Sequence, residues 1–214
     1  MNDSQGKSRG GISRRAFLTG SGTAAAAGLL PPVIDRGLNE AVAADDSRSA
    51  AGKPVAVGPG PVQIELTVNG KKLSTKVEPR VTLLDALRND LDVTGSKRVC
   101  DRGTCGACTV MIDGRAIYSC TMLAVEARGK QVKTAESLVN GSELDAVPAA
   151  FAKCDAQQCG FCTPGFVVAM RAALDKNPNA TPAEVEDGVS GNICRCGTYE
   201  QMRHAIELLC RKGG

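Results

Sequence analysis

From residue 63 the chain alternates. Gln63-Ile64-Glu65-Leu66-Thr67-Val68 puts an apolar side chain at every second position, the pattern of a strand with one buried face. Asn69-Gly70 suits the two-residue turn of a hairpin, and Lys71 to Val77 reads as the returning strand. The period then changes: Thr82 can cap a helix whose apolar face is Leu83, Leu84 and Leu87. Thr109-Val110-Met111-Ile112 predicts a third strand, Asp113-Gly114 its turn, and Ala116-Ile117-Tyr118 a fourth. Together these predict a small mixed sheet crossed by a helix.

Beyond residue 139 the spacing is helical. Leu144 to Cys154 is apolar around Val147, Ala150 and Phe151. Thr163 is a cap candidate with Pro164 at the first helical position, and Phe166, Val167, Met170 and Leu174 carry one face up to Lys176. Thr181 to Glu184 and Thr198 to Gln201 each fit a capping box, and Met202, Ala205, Ile206 and Leu209 share a face of the last helix. Four helices can close on a common core. The fold class is therefore α+β: a sheet-based module over 61–138, then an all-α four-helix module over 139–214.

The front of the chain reads as an address. Arg14-Arg15 stands between a polar start and the apolar stretch Ala16 to Leu30, and small residues run to Ala44, ahead of Asp45. This order resembles a twin-arginine export signal over 1–44, which implies a periplasmic protein exported already folded. The apolar stretch is short and rich in Gly, Ala and Thr, a poor membrane span. Residues 45–60, with Gly52-Lys53-Pro54 and Gly58-Pro59-Gly60, read as a flexible linker.

Charge and composition remove one class of function. The net charge is +3, and Lys7, Arg9, Arg14, Arg15 and Arg36 outweigh Asp3, Asp35 and Glu40 at the front, so the rest is close to neutral. With no Trp, four Phe and two Tyr, there is neither a basic footprint nor a stacking surface for nucleic acid.

The 10 cysteines change the picture, because all of them follow residue 99. Disulfides, zinc and iron–sulfur compete for such a set. Cys100, Cys105 and Cys108 form a C-x4-C-x2-C run with Cys120 at a distance, the plant-type ferredoxin spacing. Gly103 and Gly106 let one loop curl tightly enough to aim three thiolates and several N–H groups at one point. An unbroken three-cysteine loop is unusual for zinc; disulfides accept any spacing and are not excluded by it. Cys159-x2-Cys162 and Cys194-x-Cys196 sit at two helix entrances, where free N–H groups favour thiolates. A one-residue gap is awkward both for a zinc knuckle and for a mutual disulfide. Cys154, Cys159 and Cys162 repeat the C-x4-C-x2-C spacing, but no glycine bends the chain after Cys154, so it reads as a helix end; Cys154 and Cys210 are then spare thiols. His204, the single histidine, reads as a surface or packing residue on the last helix.

Cys100 to Val110, Gln158 to Gly165 (Gln-Cys-Gly-Phe-Cys-Thr-Pro-Gly) and Gly191 to Tyr199 (Gly-Asn-Ile-Cys-Arg-Cys-Gly-Thr-Tyr) together resemble the iron–sulfur portion of the xanthine dehydrogenase and aldehyde oxidoreductase family. The resemblance covers residues 62 to 210, and with the export signal it is to the small subunit of periplasmic aldehyde oxidoreductases. It implies a β-grasp ferredoxin-like domain followed by a four-helix domain. It assigns Cys100, Cys105, Cys108 and Cys120 to one [2Fe–2S] cluster and Cys159, Cys162, Cys194 and Cys196 to a second. It places Gln158 and Cys196 near molybdopterin. The implied partners are a large molybdopterin-binding subunit and an FAD-binding subunit; the implied reaction is hydroxylation of an aldehyde or N-heterocycle, with no catalytic residue on this chain.

Overall fold

The computed structural model describes residues 58–211. The expected export segment and most of the expected linker lie outside them. β1 (Val62–Val68) and β2 (Lys71–Val77) pair antiparallel from Val62↔Val77 to Val68↔Lys71. Asn69 and Gly70 turn the hairpin with φ of 51° and 78°, the left-handed pair that such a turn demands. Ile64, Leu66 and Val68 are buried as the alternation requires.

Thr82 accepts the Asp85 N–H, as a cap should, but the helix it starts is short. α1 (Leu83–Asp85) runs straight into a π-helical turn over Ala86–Asp90, closed by Leu91 N–H donating to the Ala86 carbonyl at 3.1 Å. Leu83, Leu84, Ala86 and Leu87 are buried in this element. β3 (Thr109–Ile112) and β4 (Arg115–Tyr118) form the second hairpin, turned at Asp113 and Gly114 with φ of 47° and 81°.

Periodicity does not reveal β5 (Gln131–Lys133), whose single apolar residue is Val132. It fills the middle of the sheet, parallel to β1 and antiparallel to β3, giving the order β2-β1-β5-β3-β4. A small hairpin of β6 (Val139–Asn140) and β7 (Glu143–Leu144) follows.

Four helices complete the described chain: α2 (Ala146–Lys153), α3 (Thr163–Lys176), α4 (Pro182–Gly188) and α5 (Tyr199–Cys210). Asp145 caps α2 by accepting the Val147 N–H, and Thr181 with Glu184 forms the expected capping box on α4. Val147, Phe151, Phe166, Met170, Val185, Met202 and Ile206 share one core. α2 packs on α5, and α4 touches both α3 and α5.

Two expected caps are absent. α3 begins at Thr163 with Cys162 as its N-cap, and the Thr163 hydroxyl is buried without a partner. The Thr198 hydroxyl caps nothing on α5; it turns to the Cys194 sulfur instead.

β3 joins the two halves. All four of its residues are buried: Val110 and Ile112 belong to the core under α1, while Met111 packs against Val168 and Ala172 of α3. Among the described residues, no helix is long and apolar enough to cross a membrane.

Candidate metal centres

The loop from Cys100 to Cys108 has little regular structure and owes its shape to left-handed residues. Asp101, Gly103 and Gly106 have φ of 55°, 69° and 70°. The Gly103 N–H donates to Cys120 Sγ at 3.2 Å and the Thr104 N–H to Cys100 Sγ at 3.4 Å. The thiols act on one another: Cys105 on Cys100, and Cys108 and Cys100 on Cys120. Tyr118 feels the charge of all four cysteines, and burial first, then these sulfurs, raise its pKa. N–H donation, from Arg102 above all, outweighs burial and lowers Cys100 to about 7. Burial, reinforced by Cys108, pushes its counterpart Cys120 up to about 11.

The second foursome comes from the turn before α3 and the turn before α5. Cys159 and Cys196 Sγ atoms are 3.5 Å apart, and the Cys162 and Cys194 thiols shift each other's pKa. Burial pushes Cys162 up to about 12, helped by Cys194. For Cys194 burial also pulls upward, but the hydroxyl and N–H of Thr198, the Cys162 thiol and the Gly197 N–H bring it down to about 7. The Phe161 N–H lowers Cys159, which is exposed. Cys196 is half-buried, and the Cys159 thiol raises it against the opposing pull of the Cys159 N–H.

In each foursome the thiols act on one another, with one lowered and one raised, and Cys159 and Cys196 are in sulfur–sulfur contact. All ten cysteines are free of disulfides. Among the described residues, no group of three or more His, Cys, Asp or Glu is arranged to hold a single metal ion. Four thiols brought near one another, with backbone N–H groups aimed at sulfur, would suit the ligation of an iron–sulfur cluster. Cys154 lies elsewhere, closing α2 through its N–H to the Ala150 carbonyl, and Cys210 ends α5. Gln158 is exposed beside Cys159. His204 is exposed, 3.5 Å from Glu200.

The two loops touch. The Ile193 N–H donates to the Cys105 carbonyl at 2.9 Å. Buried Asn192 donates to the Gly106 carbonyl at 2.9 Å and to Thr109 Oγ1 at 3.2 Å. The Tyr118 hydroxyl donates to the Gly191 carbonyl at 2.9 Å. Sequence spacing gave no contact role to Asn192 or Tyr118, and it named Thr198 as a helix cap. Asn192 and Thr198 stand inside the third cysteine motif, and as polar residues there they were the available signal.

Family models agree with this division. One described as a 2Fe-2S iron-sulfur cluster binding domain matches residues 66–139, and one described as a [2Fe-2S] binding domain matches 134–207. The nicotine 6-hydroxylase small subunit of Paenarthrobacter nicotinovorans is 43% identical over 145 residues, spanning 68% of this chain and 87% of that one. The aldehyde oxidoreductase iron-sulfur-binding subunit of Escherichia coli (strain K12) is 39% identical over 183 residues, spanning 78% and 80%. The chain belongs to the iron–sulfur small subunits of the molybdenum hydroxylases. A solved relative of this family, in quinoline 2-oxidoreductase from Pseudomonas putida 86, superposes with a TM-score of 0.67 at 41% identity, covering 72% of this chain and 96% of that one. As a molybdenum-hydroxylase small subunit, the chain is the iron–sulfur component of a multi-subunit oxidoreductase.

Proposed function

We propose that this subunit carries two [2Fe–2S] clusters, one on Cys100, Cys105, Cys108 and Cys120 and one on Cys159, Cys162, Cys194 and Cys196, and relays electrons from molybdopterin on a large partner subunit to FAD on another or to a different acceptor. The observation that carries this reading is the gathering of four thiols that act on one another at each of two sites, with N–H groups on their sulfurs and loops that abut. Bound clusters supply reversible one-electron storage. The chain's own residues gather the sulfurs, aim N–H groups at them and bury part of them. Substrate oxidation, of an aldehyde or an N-heterocycle, then belongs to the partner that holds molybdenum.

Exposure supports the direction of docking. Phe161, Ile193 and Tyr199 are 51%, 49% and 40% exposed beside the second foursome. Apolar side chains gathered at a cluster's mouth suit a protein partner. In this reading exposed Gln158 and half-buried Cys196 face molybdopterin. Residues 61–138 form a β-grasp domain and 139–214 a four-helix bundle, each built around one cluster.

Iron and acid-labile sulfide analysis of protein purified anaerobically with its partners tests the reading. About four of each per chain, with two EPR signals after dithionite reduction, is the expected result. Fresh protein without iron and with its cysteines oxidised in pairs would overturn it.

The same proposal places the protein in the periplasm, with 1–44 as a twin-arginine signal ahead of the 45–60 linker. The support is the order of Arg14-Arg15, apolar stretch and small-residue exit. Changing both arginines to lysine is expected to hold the protein in the cytoplasm, read by fractionation and immunoblotting. Undiminished export of that variant would refute the assignment.

A further inference from the structure

Thr198 is 3% exposed, and its hydroxyl oxygen lies 3.3 Å from Cys194 Sγ. A buried hydroxyl without a partner is costly, so the partner it keeps is informative. At the N-cap of α5 the expected partner is an amide of the first helical turn. No such bond is made. The side chain has left the helix to reach sulfur. The next residue completes the arrangement: the Tyr199 hydroxyl accepts the Cys194 N–H at 2.8 Å, and its ring meets Phe166 edge-on at 6.4 Å. Cys194 is thereby fixed through both its backbone and its sulfur.

We propose that Thr198 is a positioning residue that raises the reduction potential of the group held by Cys159, Cys162, Cys194 and Cys196. The inference rests on the ligand assignment under Proposed function. A thiolate ligand carries no proton, so the hydroxyl is the donor and sulfur the acceptor. Reduction adds one electron to the iron–sulfur unit and increases the negative charge on its sulfurs. The O–H···S bond strengthens with that charge, so it stabilises the reduced form more than the oxidised one. The proton stays on Thr198 Oγ1, and no covalent bond forms or breaks. In the other foursome the Thr104 N–H donates to Cys100 and the Gly103 N–H to Cys120, and Thr198 belongs to neither, so substitution at 198 acts on one of two potentials in the same molecule.

The test is a dithionite redox titration of the purified full-length protein in its complex, followed by EPR. Thr198→Val keeps the side-chain shape and removes the donor. Its second-cluster midpoint is expected to move to lower potential while the other cluster stays in place. Thr198→Ser should restore the parent value, and Thr198→Ala should move it the same way as valine. If the valine variant does not retain iron, the alanine variant decides. A midpoint unchanged in the donor-free variants, or both clusters moving together, overturns the proposal. Cys194→Ser in parallel separates this from the ligand assignment: if it leaves iron content and both signals intact, the assignment fails, whereas loss of the second signal with Thr198 variants unshifted defeats the inference alone.

Discussion

Cys105→Ser is expected to abolish one of the two reduced-cluster EPR signals, leave the other unchanged, and lower iron from about four to about two per chain. Cys105 acts on Cys100 in the first foursome. Serine keeps the backbone, so the Cys105 carbonyl that accepts the Ile193 N–H is retained and the loop keeps its anchor. What changes is the ligand, since serine offers oxygen in place of the thiolate sulfur by which iron–sulfur clusters are held. The surviving signal follows from the second foursome being drawn from other turns, those before α3 and α5. Two unaltered signals from the variant would show that the first loop does not hold iron as assigned.

Gly165→Ala carries the second large effect, on stability. An exposed helical glycine replaced by alanine usually gains up to about 1 kcal/mol. Gly165 lies in the first turn of α3, where an added Cβ would collide with the Gly106 carbonyl oxygen and meet the Ala107 Cα at 3.0 Å. Both obstacles are main chain, so no side-chain rotation relieves them. The overpacking cost of about 1–3 kcal/mol therefore outweighs the gain, and the melting temperature is expected to fall by several degrees. Gly60, with nothing within 4 Å, is the control whose alanine variant should melt like the parent. A Gly165→Ala protein at least as stable as the parent would contradict the close approach of α3 to the cysteine loop.

Most of the sheet was legible because its signals are local. β1 follows from alternation, β2 from its return after Asn69-Gly70, and β3 and β4 from short runs on either side of Asp113-Gly114. β5 was not, since Gln-Val-Lys owes its place to β1 and β3 on either side, and no three-residue period reports that. The helical faces were read correctly at Phe166, Met170, Met202 and Ile206. The failures came where sulfur competes with the helix end. Thr163 and Thr198 have the residue type of a cap, yet one hydroxyl caps nothing and the other binds Cys194. Cap patterns weigh a hydroxyl against nearby amides alone, and a thiol from the preceding turn is invisible to them. The cysteine spacing likewise named the thiols but not what joins their loops, because Asn192 and Tyr118 act across the fold.

The joint between the loops has a consequence for how the chain is made. Gly106 and Asn192 are 86 residues apart. At ribosomal rates of about 5–20 residues per second, the nascent chain waits roughly 4–17 s between them. Both hairpins of the sheet can form within microseconds of synthesis. Until α3 (Thr163–Lys176) has followed, the Met111 side of β3 is uncovered, and for the whole wait the Gly106 carbonyl has water in place of the Asn192 amide. The emerging N-terminal half is thus a sheet with one apolar face bare until α3 arrives, and the bonds from Asn192 close over the cysteine loop only after that.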